Sequence, residues 1–545
     1  MTSRERLGLE EEWVFPLGGL SIPEHDAGFE TALKFEAVQL FTQRAKRARL
    51  SFNPNPNDLT SLLRVCELVG GSPLGIELAA AWVKLMSVAE IAEEIAESLD
   101  FLEAANRNVS ERHQSVRAVF EQTWVRLNSN ERRALSRLSV FRGGFTREAA
   151  NAVSGASLSS LSSLVDKSLV RVAANGRYDF HVLLRQFALE MLAKNPDDQA
   201  RTATAHGHFF LALAENASEA ILQLQNEKRW IDRLSLELEN LRTALNAWLK
   251  RGEVEKAMRC VTGLRHFWGR TGRAREGRIW LSKSLALRHN ASLQVHEEAL
   301  AVNGELAMDM GDYAEAKRLL EASLALREGL GLSSPITWLH LGNIAMKTGD
   351  LEMARSRYGQ ALAGFRASNE LHGLASSLNN LGTIMLRNGD LAGAEAAYDE
   401  SLRYKLEVGG DVDGLLKNIG NLHRQRGDFK TARTYLIRAL NGLLERGSHL
   451  LIPNVLEGLG LLAVDQNHSS RAAILLGAAS RQREAMNAPK PPVECEELER
   501  AVLTIRETLG EDAFAVNWAE GQAMTLEQAV NCATQPVDMR SEPVR

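Results

Sequence analysis

The stretch LGNIAMKTGDLEMARSRYGQA, Leu341 to Ala361, decides the fold. Its centre, Gly349-Asp350, is a turn signal. Seven residues before the turn stands Gly342, and five, nine and twelve after it stand Ala354, Tyr358 and Ala361. The arrangement recurs. Turns marked by Gly-Asp or a near equivalent fall at Gly272, Gly311, Gly349, Gly389, Gly427 and Asn467, 38 to 40 residues apart. The preceding glycines are Gly304, Gly342, Gly382, Gly420 and Gly460, while the first repeat departs with Arg265. Small residues follow at Gly277, Ala316, Ala354, Ala394, Ala432 and Ala472, and again at Ser284, Ser323, Ala361, Ser401, Ala439 and Ala479. Between them sit large ones: Leu281, Leu320, Tyr358, Tyr398, Leu436 and Leu476. The spacing predicts a helix, a tight turn and a second antiparallel helix, with small residues letting backbones approach and large ones filling the space between pairs.

This pattern resembles the tetratricopeptide repeat, in a variant about a turn longer than the usual length of roughly 34 residues. The resemblance implies a mainly α chain with an α-solenoid over 255–485, about six helix pairs whose first helices line a concave face. The glycines and alanines of the pattern read as packing. Function belongs on the concave face, where Asn343, Asn379, Lys417 and Asn421 could hydrogen-bond an extended peptide backbone or a carboxylate. Plain solvent exposure is the alternative for these four. The partner expected there is a protein or peptide.

At 545 residues the chain exceeds the roughly 250 to 300 at which a single core stops growing, so several domains or a repeat array are expected. A hydrophobic content of 45%, a charged content of 24% and a net charge of -5 describe an ordinary globular protein with no overall basic field for nucleic acid. DNA contact would have to be local. Cys66, Cys260, Cys495 and Cys532 are scattered without C-x-x-C pairs, which argues against a zinc site and a disulfide framework and fits a reducing cytoplasm. The opening MTSRERLGLEEEWVF has no apolar core of an export signal, and no window approaches 18 uninterrupted apolar residues. A soluble cytoplasmic protein without membrane partners or metal is predicted.

Between Asn130 and Leu192 the sequence predicts an amphipathic helix around Leu135, a break at Gly143-Gly144, a helix capped by Thr146, and another through Leu161 to Val165. Two β-rich runs, SLVRV and RYDFHVL, flank the turn AANG before a closing helix with Phe187 and Leu192. That order is a winged helix. Residues 131 to 190 carry nine Lys or Arg against five Asp or Glu, a small surplus for a DNA-binding surface. LSSLVD, Leu161 to Asp166, has the look of a Walker B strand but continues as KSLV without a breaker, and reads as a helix. No Gly-x-x-x-x-Gly-Lys-Ser/Thr and no Gly-Lys pair occurs.

GGSPLGIELAAA, Gly70 to Ala81, is by itself a turn ahead of a small-residue helix with proline in its first turn. Its setting adds weight: Thr2-Ser3-Arg4 at the front, FEAVQLFTQRAKRA and the loop SFNPNPN upstream, and the winged helix with Phe180-His181-Val182 downstream. In that order these pieces resemble the NB-ARC class of signal-transduction ATPases with numerous domains (STAND), especially bacterial predicted ATPases of large transcriptional regulators with tetratricopeptide repeats. The segment Thr508 to Ala533 also resembles the closing part of those regulators.

The resemblance implies a vestigial nucleotide pocket. Arg4 falls where a sensor strand points to the terminal phosphate, Pro73 and Leu74 match the Gly-x-Pro-Leu motif that packs on adenine, and His181 matches the Met-His-Asp histidine that reaches the β-phosphate of ADP. Gly75 replaces the usual alanine, and Phe180 and Val182 replace the neighbours of the histidine, which would otherwise be a capping or buried polar residue. The P-loop, Walker B strand and most of the central sheet are expected to be missing ahead of Met1. The expected organisation is a nucleotide-domain remnant over 1–58, forming the edge of a parallel sheet, a helical domain over 59–108, a winged helix over 109–195, a helical linker over 196–254, the repeats over 255–485 and a helical tail over 486–545. The expected function is a non-catalytic regulatory or scaffold protein. ADP or ATP would bind only if the missing front is supplied, which would make the protein a nucleotide-switch transcriptional regulator; a DNA-binding winged-helix factor is the other alternative.

Overall fold

A computed structural model describes residues 18–23, 27–97, 101–102, 116–222, 227–287, 291–446, 451–486 and 495–535. It is almost wholly helical and divides into two compact units, Met1–Arg273 with Lys283–Ala291, and Ala274–Ser282 with Ser292–Arg545.

In the front unit the Leu20 amide donates to the Gly71 carbonyl (2.8 Å). Among the described residues no strand forms before Arg171; residues 1–17 and 24–26, on which much of the sheet edge expected in 1–58 falls, lie outside the described residues, and Glu36–Ala48 is a helix. That helix packs on Pro73–Ala81 through a buried face of Ala37, Val38, Phe41 and Ala45, spaced at one helical period. Helices Leu59–Leu68 and Val88–Glu97 complete this bundle. The next layer holds Ser129–Leu138, Arg147–Ser154 and Leu158–Asp166, a two-stranded antiparallel wing (Arg171–Val172 with Tyr178–Asp179), and Val182–Ala193. Thr146 caps its helix as expected, and LSSLVD is helical. The wing is fastened to the long helix Glu227–Arg251. Arg177 donates to Glu237 (2.5 and 3.1 Å), and Asn240 bonds the Gly144 carbonyl and Glu237 while accepting from the Arg142 amide (2.7 Å).

The second unit is a solenoid of helix pairs: Leu293–Asp309 with Tyr313–Gly329, Pro335–Thr348 with Leu351–Ser368, Leu371–Arg387 with Leu391–Glu407, Asp413–Gln425 with Phe429–Glu445, and Ile452–Asp465 with Ser469–Ala485. The repeat's rule of spacing has a direct physical counterpart. A Cβ placed on Gly304, Gly342, Gly382, Gly420 or Gly460 would stand 2.7, 2.5, 2.7, 2.8 or 2.7 Å from Leu320, Tyr358, Tyr398, Leu436 or Leu476 respectively, well inside contact distance. Each glycine is the socket for the large residue sixteen positions later. The turn glycines adopt left-handed backbone, as at Gly349 (φ +88°), and the following Asp312, Asp350, Asp390 and Asp428 cap the second helices. Helices Glu496–Leu509, Glu511–Ala523 and Leu526–Thr534 follow, the last held by Arg433 and Arg471 on its terminal carbonyls.

Candidate functional site: an amide-lined groove

The groove is built outward from Gly342. Because residue 342 has no side chain, the Tyr358 ring sits almost fully buried against the backbone and its hydroxyl reaches the Asn343 carbonyl oxygen (2.9 Å). Burial raises the phenol well above its ordinary pKa, so it is a neutral donor. Asn343 Oδ1 also accepts from Asn380 (2.9 Å), Asn380 Oδ1 from Asn379 (3.2 Å), and Asn379 Oδ1 from Asn418 (2.8 Å). The relay crosses three successive first helices.

Its direction is fixed by Thr383. That hydroxyl donates its one hydrogen to the Asn379 backbone carbonyl (3.0 Å), so it can only accept from Tyr398 (3.3 Å) and from Asn418 (3.4 Å). Asn418 therefore presents nitrogen there, and every amide upstream follows. The carbonyl of Asn343 accepts two bonds, and those of Asn379 and Asn380 accept one each. Both N–H of Asn343 and one each of Asn379 and Asn380 are left over.

These side chains line a cavity of about 360 Å³ together with Met308, Tyr313, Met346, Lys347, Arg387 and Lys417. Among the described residues its lining carries three cations and no carboxylate. Three of the four predicted groove residues, Asn343, Asn379 and Lys417, thus meet in one place. Asn421 does not join them: its Oδ1 is buried without a partner and would lie 3.1 Å from a Cβ at Gly458 of the next first helix. Sequence reasoning missed Asn380, Asn418, Lys347 and Arg387. Their signal was available, since Asn380 and Asn418 both stand two residues before a repeat glycine, and Lys347 and Arg387 five after one.

In the front unit the structure brings two motifs together. His181 caps helix Val182–Ala193, with Nδ1 accepting from the Leu183 amide (3.3 Å), and its Nε2 would lie 2.7 Å from a Cβ at Gly70. Burial, reinforced by Arg171 and opposed by Asp179, holds the imidazole below its ordinary pKa. Gly70 and Gly71 take left-handed backbone, and Ser72 caps the helix that Pro73 and Leu74 begin. Gly75 is required locally, because a Cβ there would meet Val69 at 2.8 Å. Arg4 lies outside the described residues.

Around the wing some cations are exposed, Arg142, Arg147 and Arg171, and others are engaged. Helix Leu158–Asp166 contains no cation, Lys167 just after it pairs with Glu131 (2.6 Å), and Arg177 is engaged by Glu237. Among the described residues no cluster of His, Cys, Asp and Glu could hold a metal, and no helix is long and apolar enough to cross a membrane.

Residues 333–407 match the tetratricopeptide-repeat family. The chain is 31% identical over 295 residues to a "Putative HTH-type transcriptional regulator" of Mycobacterium tuberculosis, covering 52% of this chain and 32% of that protein. It is 26% identical over 421 residues to the regulatory protein AfsR of Streptomyces coelicolor, covering 69% of this chain and 40% of that one. The chain thus spans about a third of the first relative's length. A crystal structure of a signal transduction ATPase with numerous domains and a tetratricopeptide repeat sensor, from Pyrococcus horikoshii, aligns with 89% of this chain and 74% of that chain at 15% identity, with a TM-score of 0.43. The resemblance to bacterial regulators stands: the chain carries tetratricopeptide repeats and is a relative of a protein named as a putative HTH-type transcriptional regulator and of a regulatory protein.

Proposed function

We propose that this chain is a non-catalytic regulatory or scaffold protein that binds a protein or peptide partner in the groove of its central repeats. One observation carries the reading: unused amide N–H groups and three cations converge on a single cavity at the face of three successive first helices. An extended peptide presents a carbonyl at every residue, and several such bonds of about 0.5 to 1.5 kcal/mol each would have to act together. The test is retention of a peptide pool by the immobilised full chain, compared with Arg387→Gln/Lys417→Gln and with Asn421→Ala. Loss in the double variant but not in Asn421→Ala is expected. Equal retention by all three would place binding elsewhere and refute the reading.

A second reading, a nucleotide-switch transcriptional regulator, is favoured by the contact of His181 with Gly70. Pro73 and Leu74 would wall a base, and His181 Nε2–H is the donor left for a phosphate. A bound nucleotide would supply the negative charge that such a donor holds in place. The 545 residues contain no Gly-Lys phosphate cradle, so tight binding of ADP by this chain is not expected. Calorimetry decides: micromolar ADP affinity lost in His181→Ala would favour the second reading. Direct DNA binding draws support from the relatives' names and from the small cation surplus of residues 131 to 190, while the helix Leu158–Asp166 lacks cations.

A further inference from the structure

We propose that a cavity beneath the helices that follow the repeats binds an uncharged, mainly apolar small molecule. The site is separate from the groove, with which it shares none of its described lining residues. It measures about 440 Å³ and lies where helix Glu496–Leu509 rests on Ile452–Asp465 and Ser469–Ala485, with Glu511–Ala523 beside them.

The space exists because the two closing helices pack by different rules. Glu511–Ala523 meets Ser469–Ala485 backbone to backbone: a Cβ on Gly477 would stand 2.5 Å from the Trp518 carbonyl oxygen, and one on Gly521 2.1 Å from that of Ile474. Glu496–Leu509 has no glycine at its contacts. It is seated instead along one line of side chains at helical spacing, Glu497, Ala501 and Ile505. Glu497 is bonded by the buried Arg424, and Ala501 and Ile505 are buried, Ile505 in the core with Ala472 and Phe514. The neighbouring line, Leu498, Val502 and Arg506, faces the cavity, with Leu476, Ser480 and Trp518 among the side chains across from it. Protein interiors are close-packed, so an apolar hollow of this size leaves its walls without contacts that a ligand would restore.

The charges of the lining select against ions. The described lining carries two cations and two carboxylates, Arg483, Arg506, Glu457 and Glu499. Arg483 donates to both carboxylate oxygens of Glu457 (2.6 and 3.1 Å), and Arg506 lies over the Phe514 ring (4.6 Å) and bonds Glu511 (3.4 Å). Each cation thus has its counter-charge, and an ionised ligand would have to break a pair or lie unmatched against apolar walls. Small-molecule sites occupy about 300 to 1,000 Å³ and are mostly apolar with a few polar groups, which describes this cavity. Trp518 offers a ring face to a flat ligand, and Ser480 a hydroxyl whose contact with Glu484 is long (3.5 Å). The matching ligand is neutral, ring-bearing and carries one hydroxyl or carbonyl.

The test titrates the full chain with N-phenyl-1-naphthylamine, a neutral fluorophore that brightens in apolar surroundings. Saturable binding of a single probe per chain is expected. Ser480→Phe and Val502→Trp, which fill the cavity from opposite walls, should each weaken it by at least about tenfold, whereas Thr504→Phe, an exposed position of the same helix, should leave it unchanged. Three competitors share one ring system: 2-naphthylmethanol should displace the probe at a concentration lower by at least about tenfold than 2-naphthoate or 2-naphthylmethylammonium. In the parent chain, which needs no substitution, saturating probe should slow amide exchange in Glu496–Leu509. Absent saturation, unchanged exchange in that helix, or binding that both filling variants retain overturns the site. Equal or stronger displacement by either charged competitor overturns the ligand class. None of these outcomes bears on the groove, whose peptide retention is measured separately.

Discussion

Consider Gly342→Ala against Gly359→Ala, the same change made once on each helix of one repeat. At residue 342 the added Cβ would lie 2.5, 2.6 and 3.2 Å from three Tyr358 ring carbons, and the ring is rigid and 1% exposed. Overpacking of this kind costs about 1 to 3 kcal/mol. Moving the ring also strains its bond to Asn343, another 0.5 to 1.5 kcal/mol or about that. The gain in helix propensity returns about 1 kcal/mol. The net expectation is a loss of about 0.5 to 3.5 kcal/mol. At residue 359 nothing lies within 4 Å, so only the propensity term acts and the pair should gain up to about 1 kcal/mol. Repeat arrays do not unfold as one unit, so a global melting temperature would blur the result. Native-state amide exchange of Pro335–Thr348 and Leu351–Ser368 reads it directly. The reasoning fails if Gly342→Ala leaves exchange in both helices as slow as in the parent, or if Gly359→Ala speeds it.

Three further outcomes follow from contacts described above. Glu237→Gln should destabilise the front unit by about 3 to 5 kcal/mol by leaving Arg177 buried without its charge partner, seen as a lower urea midpoint and faster exchange in the wing. Asn421→Ala should leave peptide retention unchanged and stability equal or up to about 1 kcal/mol higher, because its buried Oδ1 lacks a partner; a loss of retention would put Asn421 in the site. His206, buried between Phe141 and Phe210, titrates at about 4 in the fold. Its unfolded form binds a proton near 6.5, so below that pH the unfolded state holds more protons and stability falls as pH drops toward 4. In urea titrations across that window His206→Leu should flatten the dependence; an unchanged slope would assign it to other groups.

The solenoid was legible in the sequence because its packing rule acts within one repeat. Gly342 and Tyr358 are sixteen residues apart, and a socket and its filler at constant spacing can be read along the chain without knowing how repeats stack. The helical state of LSSLVD and the order of the winged helix were legible for the same reason, being settled by local caps and breaks. The groove was legible only in part. Asn379 and Asn418 are 39 residues apart, and whether they touch depends on the superhelical offset between helices, which no local pattern encodes. Hence Asn421, three positions from Asn418 on the same helix, turns to Gly458 instead of the cavity. The sheet edge expected before residue 58 followed from resemblance alone and falls largely outside the described residues, among which Glu36–Ala48 is a helix with its apolar face buried against Pro73–Ala81.

The amide relay also bears on elasticity. A solenoid behaves as a spring whose coils can open or close by small rotations between neighbouring repeats. Two of the relay's bonds, Asn380 to Asn343 and Asn418 to Asn379, join different coils, so they stretch when the spring does. Stretching would break these two bonds, and a ligand bound in the groove as proposed would resist the opening. Pulling force and occupancy are then conjugate quantities: tension on the array should expel the ligand, and the ligand should stiffen the array by the same free energy. If the groove is occupied as proposed, the stiffness of the central repeats depends on what lies in it.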